Sequence, residues 1–191
     1  FMVGEFDDYQ VLQALHRFPL EGRQVDLQFS YSQRYVNVVR EKIEPRQSSQ
    51  SILQLGYQFQ CQYGDKDYFA LIVFNAMFGE FAHSALFTTL REKEGLAYSI
   101  SSQFDIFTGL LEVYAGIEKS NRDQAMRGIS RELNYIKLGR FSSSLLNQTK
   151  KIIRMNALLS EDHALTLVEQ RFNKVIFGDK SLSLENWLDE I

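Results

Sequence analysis

The chain is poor in residues on which several common functions depend. It has one cysteine, Cys61, two prolines and three histidines among 191 residues. A single cysteine excludes an internal disulfide and fits a reducing compartment, so we expect a cytoplasmic location. A buried, apolar role is a commoner explanation for such a cysteine than a catalytic thiol.

Long apolar runs and a strong excess of one charge are also missing. No run approaches the roughly 20 residues that span a bilayer. The net charge of −3 gives no basic surface for nucleic acid or an anionic membrane, so we expect neither as a partner. The chain starts at Phe1 without a signal-peptide pattern. This start predicts that the chain is a piece of a longer one.

What is present is the composition of a globular protein. The hydrophobic share is 45% and the charged share is 24%, which is ordinary for a globular domain. The length allows one substantial core or at most two small ones, and we expect a single domain over residues 1–191. Alternating apolar and polar residues predict strands, and Gly109 predicts a hairpin turn between the last two. The predicted strands are residues 1–4, 25–31, 35–43 (the weakest), 53–61, 97–104 and 110–117, with a polar loop at 44–50.

Helical spacing dominates the remainder of the chain. Asp7, Ser120 and Ser160 are predicted to cap helices, and Gly139 and Gly178 to end them. The second helix is apolar nearly all round, so it should be buried. The predicted helices are residues 7–17, 66–78, 120–139, 142–159, 160–177 and 184–191. Strands followed by runs of helices predict an α+β fold, in which helices pack on one face of a largely antiparallel sheet.

The stretch from His83 to Ile100 organises the rest of the chain. Ser84 can cap a short helix, whose apolar face is Leu86, Phe87 and Leu90. Gly95 provides the left-handed exit, after which a strand begins. The end of this helix and the start of the strand therefore bring Arg91 and Tyr98 close to one junction.

This stretch resembles the C-terminal domain of the insulinase-like (pitrilysin, M16) zinc peptidases. The resemblance rests on Arg91-Glu92-Lys93-x-Gly95-Leu96-Ala97-Tyr98-Ser99, preceded by His83-Ser84-x-Leu86-Phe87. The spelling is closest to the bacterial members, and the flanking elements agree as well. The resemblance implies an α+β domain that is not itself catalytic. In the active assembly it would face a zinc-bearing domain or partner subunit across a chamber that encloses a peptide.

The zinc site that the resemblance implies cannot be built from this chain. It needs the inverted motif His-x-x-Glu-His on a helix and a more distant Glu. The histidines are His16, His83 and His163, and none has a second histidine within two helical turns. We expect no metal in this fragment, and zinc in an N-terminal domain of the same chain or in a paired subunit. His16 and His163 are best explained as surface or helix-end residues.

The resemblance makes Arg91, Tyr98 and His83 the candidate substrate-binding residues, with no catalytic residue in the chain. An arginine and a tyrosine at these positions would hold a substrate carbonyl, or support the negative charge that develops on it. The structural alternative pairs Arg91 with Glu94 or Glu118 and buries Tyr98, which shares strand parity with Ile100. A structural role is also the simpler explanation for His83.

Three functions remain open from the sequence. The first is the substrate-enclosing C-terminal domain of an M16-type zinc endopeptidase acting on peptides. The second is a non-enzymatic interaction or scaffold subunit that keeps the fold and pairs, as a dimer, with an active zinc-bearing partner. The third is an unrelated α+β binding domain. A zinc motif upstream of Phe1 would separate the first two.

Overall fold

The computed structural model describes residues 1–19, 33, 36–178 and 182–191. Contacts divide the chain into two compact units. One unit comprises Phe1–Ser30 with Leu158–Ser181, and the other comprises Tyr31–Ala157 with Leu182–Ile191. The candidate residues all lie in the second unit, which also contains the sheet.

Three antiparallel strands form the described sheet, in the order β1-β3-β2. They are β1 (Ser51–Gln58), β2 (Ala97–Asp105) and β3 (Leu110–Ile117). β2 and β3 form the predicted hairpin, and Gly109 at its turn has a φ of +67°. Apolar side chains of all three strands point to one face, so the α+β class and the one-sided sheet are confirmed.

Helices and shorter helical turns account for most of the other described residues. The α-helices are α1 (Asp8–His16), α2 (Tyr68–Asn75), α3 (Arg122–Lys137), α4 (Ser143–Ser160), α5 (Ala164–Phe177) and α6 (Leu184–Glu190). Two π-helical segments, Ala76–Glu80 and Phe87–Lys93, and a 3₁₀ turn, Lys119–Asn121, complete the set.

The core of the second unit lies between the sheet and the helical segments that pack on it. Leu90 of the second π-helical segment is fully buried and lies against Gly128 of α3, where a Cβ would be 3.2 Å from Leu90. The buried apolar residues of this core are Met77, Phe78, Leu86, Leu90, Ala97, Ile100, Leu111, Val113, Ala115, Ile117, Ala125, Ile129 and Ile136.

Several predicted boundaries are confirmed. The carboxylate of Asp7 accepts hydrogen bonds from the amides of Tyr9 and Gln10 and caps α1. Gly95, Gly139 and Gly178 have φ of +61°, +69° and +56° where helical segments end. The polar loop at 44–50 is also found.

Two predicted strands are wrong. Residues 1–4 and the described residues 36–43 are exposed and lie in no sheet. Alternating side chains alone do not make a strand, because its backbone also needs a partner to hydrogen-bond with. The predicted strand at 25–31 lies outside the described residues.

Some helix predictions are also corrected. The helix predicted at 66–78 begins at Tyr68 and changes at Ala76 to a π-helical segment that runs through Gly79. It is only half-buried in its first turns, because one side lines an open cavity of about 490 Å³. Ser120 lies in the 3₁₀ turn and does not cap α3, whose N-cap is Asn121.

The predicted start of α5 is corrected as well. Ser160 is the last residue of α4, so α5 starts after His163 instead. On α4, Thr149 and Ile153 are buried, while Asn156 and Leu159 are exposed.

Candidate functional site

The junction between the second π-helical segment and β2 carries the candidate residues. The hydroxyl of Ser84 accepts a hydrogen bond from the amide of Phe87 (3.4 Å), which confirms the predicted cap. At the other end, the amide of Leu96 donates to the carbonyl of Leu90 (2.8 Å), and Gly95 makes the turn. π-Helical turns are rare and are frequently found at functional sites.

Arg91 lies on the solvent side of this segment. The guanidinium carbon is 4.5 Å from the centre of the Phe87 ring, one turn earlier, which is a cation–π arrangement. The two acids suggested as alternative partners are engaged elsewhere, because Glu94 bonds Arg131 (2.6 Å) and Glu118 bonds Tyr98. Arg91 is thus an exposed residue whose guanidinium stacks on the Phe87 ring.

Tyr98 lies at a β-bulge. Ala97 pairs with Ile117 and Ser99 with Gly116, so Tyr98 has no partner of its own on β3. The extra residue breaks the alternation, and both Ala97 and Ile100 are buried while Tyr98 is 51% exposed. The expectation that strand parity buries Tyr98 with Ile100 is therefore wrong.

Gly116 makes room for the bulge on β3. A Cβ at this position would lie 2.8 Å from the hydroxyl oxygen of Ser99. The backbone nitrogen of Ser99 would be 4.0 Å away, so a larger residue would meet the Ser99 side chain first.

The Tyr98 phenol is held by an acid at the end of β3. Its hydroxyl donates to Oε1 of Glu118 at 2.7 Å. Glu118 follows Ile117 directly and has extended backbone angles. The pKa of Tyr98 is raised, first by this hydrogen bond, then by desolvation and by the negative charge of Glu118. The phenol is therefore kept in its protonated form.

His83 contacts a different element. The Nε2 atom of His83 lies 2.9 Å from the hydroxyl oxygen of Thr149, a fully buried residue of α4. The His83 ring packs on the Phe81 ring, with the two centroids 5.5 Å apart. Burial lowers the pKa of His83, so the ring favours the neutral form. His83 thus ties its loop to α4, whereas Arg91 and Tyr98 have Phe87 and Glu118 as partners.

A polar chain, buried at Ser102 and Asn75 and exposed at Glu80, connects β2 to the first π-helical segment. The Ser102 hydroxyl donates to Oδ1 of Asn75 (2.7 Å), and Nδ2 of Asn75 donates to Glu80 (2.9 Å). Desolvation raises the pKa of Glu80, against the lowering effect of the Asn75 hydrogen bond. Gly79 lies so close that a Cβ there would be 2.6 Å from the Ser102 hydroxyl oxygen.

The described residues contain no group of three histidine, cysteine, aspartate or glutamate side chains that could hold a metal ion. His16 and His163 are exposed at the end of α1 and the start of α5. The described part of the chain therefore does not supply the ligands of a metallopeptidase zinc site. Among the helices of the described ranges, none is long and apolar enough to cross a membrane.

Cys61 is buried, and desolvation is the main cause that raises the pKa of its thiol, followed by the charges of Asp65 and Asp67. A thiol held protonated in this way is a poor nucleophile, which agrees with a structural role.

Sequence reasoning missed Glu118 as the partner of Tyr98, and it missed the Ser102–Asn75–Glu80 chain. The hairpin register comes close to the former, since the Asp105–Leu110 pairing extended without a bulge places Tyr98 opposite Ile117, the residue before Glu118. No local sequence pattern predicts the Ser102–Asn75–Glu80 chain, because its three residues come from three separate elements.

Comparison with known proteins places these features in a family. A family model described as "Peptidase M16 inactive domain" matches residues 10–153. The chain is similar to "Probable inactive metalloprotease YmfF" of Bacillus subtilis (strain 168), with 38% identity over 198 residues, or 100% of this chain and 45% of that protein. The chain spans less than half the length of the curated relatives that it matches.

Two solved structures share the fold. A conserved protein from Enterococcus faecalis V583 matches with a TM-score of 0.86 and 36% identity, over 97% of this chain and 44% of that one. A peptidase M16 inactive domain from Pseudomonas fluorescens matches with a TM-score of 0.63 and 24% identity, over 75% of this chain and 34% of that one. At the lower identity the likeness concerns the fold alone.

Proposed function

The chain belongs to the peptidase M16 inactive-domain family, and from this premise we propose that it is the substrate-enclosing, zinc-free domain of an M16-type zinc endopeptidase acting on peptides. The observation that carries the proposal is the placement of Tyr98, which a β-bulge turns out of the core toward solvent. Bulges that re-aim a side chain are over-represented next to active sites. A tyrosine needed only for packing would stay inside.

In this proposal Arg91 and Tyr98 contact the substrate backbone. Arg91 presents N–H donors in a planar fork. Because its guanidinium already stacks on Phe87, Arg91 loses less side-chain conformational entropy when it binds a substrate. Its role is to hold a peptide carbonyl. β2 lies at one edge of the described sheet, so an extended peptide could add there as a further strand. His83 stays a weaker candidate, because Thr149 occupies its Nε2.

Zinc and the hydrolytic chemistry would come from outside this chain. The described residues supply no ligand set, so we place the metal in an N-terminal M16 domain of the same chain or in a paired M16 subunit. Residues 1–191 would then act as one C-terminal domain of a longer bacterial protein. The cytoplasm is the compartment we propose, on the ground of the single cysteine.

A second candidate is a non-enzymatic subunit that keeps the fold and docks with an active partner. It is favoured by the 38% identity to a relative whose name calls it a probable inactive metalloprotease. Zinc content of the full-length parent, purified without added metal, separates the two. One zinc per chain supports the peptidase domain, and none supports the paired inactive subunit.

The test of substrate contact is Arg91→Ala in the full-length parent, assayed with its zinc-bearing partner if it holds no zinc itself. We expect kcat/KM for a peptide to fall about tenfold or more, as for loss of a charged hydrogen bond. Stability should change little, because an exposed cation–π contact contributes only about 0.5–1 kcal/mol. Arg91→Lys should recover only part of the activity, since an ammonium cannot donate in a fork.

Arg127→Ala is the matched control, because Arg127 is an exposed arginine of α3. It should leave both activity and Tm unchanged. Full activity of Arg91→Ala, or equal losses of activity and Tm, would contradict substrate contact by Arg91.

A further inference from the structure

The Tyr98 hydroxyl has a single proton, and in this structure the hydroxyl donates it in a hydrogen bond to Glu118. At 2.7 Å the bond has the length of a charge-assisted O–H···O⁻ contact. A phenol that donates to a carboxylate cannot donate the same proton to a substrate carbonyl. What it still offers to solvent is the lone pairs of its oxygen.

The backbone on both sides fixes this arrangement. The bulge gives Tyr98 its outward direction, and the Ala97–Ile117 pair places Glu118 at the end of the neighbouring strand. Glu118 is exposed; its carboxylate accepts the hydrogen bond of the Tyr98 hydroxyl, and its backbone carbonyl accepts from the amide of Asn121. The acid is therefore not needed to satisfy a buried group, and its contact with Tyr98 is its clearest role.

We propose that Glu118 is a positioning residue that holds Tyr98 as a hydrogen-bond acceptor for a backbone N–H of the peptide substrate. This inference rests on the proposed function and makes it more specific. Arg91 supplies donors and the Tyr98–Glu118 pair supplies acceptors. An extended peptide presents both C=O and N–H groups along its length, so the two sets match its backbone without reading a side chain.

The first experiment compares Glu118→Gln and Tyr98→Phe in the full-length assembly. Tyr98→Phe removes the acceptor and should lower kcat/KM by about fivefold, whereas Glu118→Gln only weakens it and should lower kcat/KM by a smaller factor. The double variant should lose no more than Tyr98→Phe alone, because the two residues act as a unit. Glu112→Gln is the matched control. Glu112 lies on β3 of the same sheet and bonds Gln54 and Gln103, away from the junction.

The second experiment removes the substrate donor directly. In a series of peptides, each carries one N-methylated amide at a different position. At one of these positions methylation should lower kcat/KM of the wild type about fivefold, because one such hydrogen bond is lost. That cost should vanish in Tyr98→Phe and shrink in Glu118→Gln. NMR of ¹³C-labelled tyrosine should show the pKa of Tyr98 falling toward its ordinary value of about 10 in Glu118→Gln but not in Glu112→Gln.

The outcomes separate this inference from the function on which it rests. Full activity of Glu118→Gln beside an impaired Tyr98→Phe would overturn the role of Glu118 and leave the proposed function standing. An N-methylation cost that persists in Tyr98→Phe would overturn the acceptor role. Full activity of Arg91→Ala and Tyr98→Phe together would defeat the proposed function, and Glu118 with it.

Discussion

Gly79→Ala is predicted to destabilise the unit that carries the candidate site. A Cβ at Gly79 would lie 2.6 Å from the Ser102 hydroxyl oxygen and 2.8 Å from both its Cβ and its backbone nitrogen. Ser102 cannot retreat, because it is buried, pairs with Val113 across the hairpin, and bonds Asn75. The methyl group must therefore push the π-helical segment off β2.

The magnitude follows from two costs and one gain. Overpacking of this kind costs about 1–3 kcal/mol, and moving the π-helical segment away from β2 adds about 1 kcal/mol for the weakened Ser102–Asn75 hydrogen bond. The better helical propensity of alanine returns at most about 1 kcal/mol. The net loss should be about 2 kcal/mol, or about 4–8 °C in Tm for a chain of this size.

Urea and thermal unfolding followed by Trp187 fluorescence provide the assay. Trp187 is the one tryptophan of the sequence and packs on Phe69 of α2, 5.8 Å between ring centroids. Gly128→Ala is the control, because its Cβ would meet only Leu90 side-chain atoms, at 3.2 Å or more. Its net effect should stay within about 1 kcal/mol. Wild-type stability of Gly79→Ala, or a larger loss in Gly128→Ala, would refute the close-packing argument.

Two further predictions concern titrating groups. Glu80→Gln should raise Tm at pH 7 and leave Tm unchanged near pH 4. Because the carboxyl pKa of Glu80 is raised in the folded state, wild type loses stability as pH rises, whereas the glutamine variant does not. The glutamine side-chain oxygen can still accept the hydrogen bond from Asn75. An equal gain at both pH values would contradict this. For His83 the folded pKa is lowered, so its stabilising effect is present above about pH 6.5 and is lost as pH falls below that value. The Tm difference between wild type and His83→Gln should therefore shrink from pH 7.5 to 5, and a constant difference would argue against this account.

The sequence predicted the fold well where local chemistry decides it. Asp7, Gly95 and Gly109 each occupy the cap or turn position expected of them, and the hairpin followed. Residues 36–43 show where the alternation of apolar and polar side chains fails as a predictor, because this pattern does not tell whether a partner strand exists. Two serine caps were wrongly predicted. Ser120 lies inside the 3₁₀ turn and Ser160 is the last residue of α4, so neither precedes the first turn of a helix.

The sequence predicted that Tyr98 begins a strand but did not reveal to which side its ring points. Strict period-two counting buries Tyr98, and only the bulge between Ala97 and Ser99 turns it outward. A bulge depends on how two strands fit, here on the space at Gly116, so a single strand's pattern does not reveal it. The contact of His83 with Thr149 spans 66 residues and lies beyond any local pattern.

Binding of an uncleaved peptide to the full-length assembly stripped of metal tests the central claim most directly, because it measures substrate contact without catalysis. If Arg91 holds a substrate carbonyl, Arg91→Ala should weaken Kd about tenfold, which corresponds to about 1.4 kcal/mol, while Arg127→Ala binds as wild type does. Equal Kd values for wild type, Arg91→Ala and Tyr98→Phe would contradict the claim that this domain contacts the substrate through these residues.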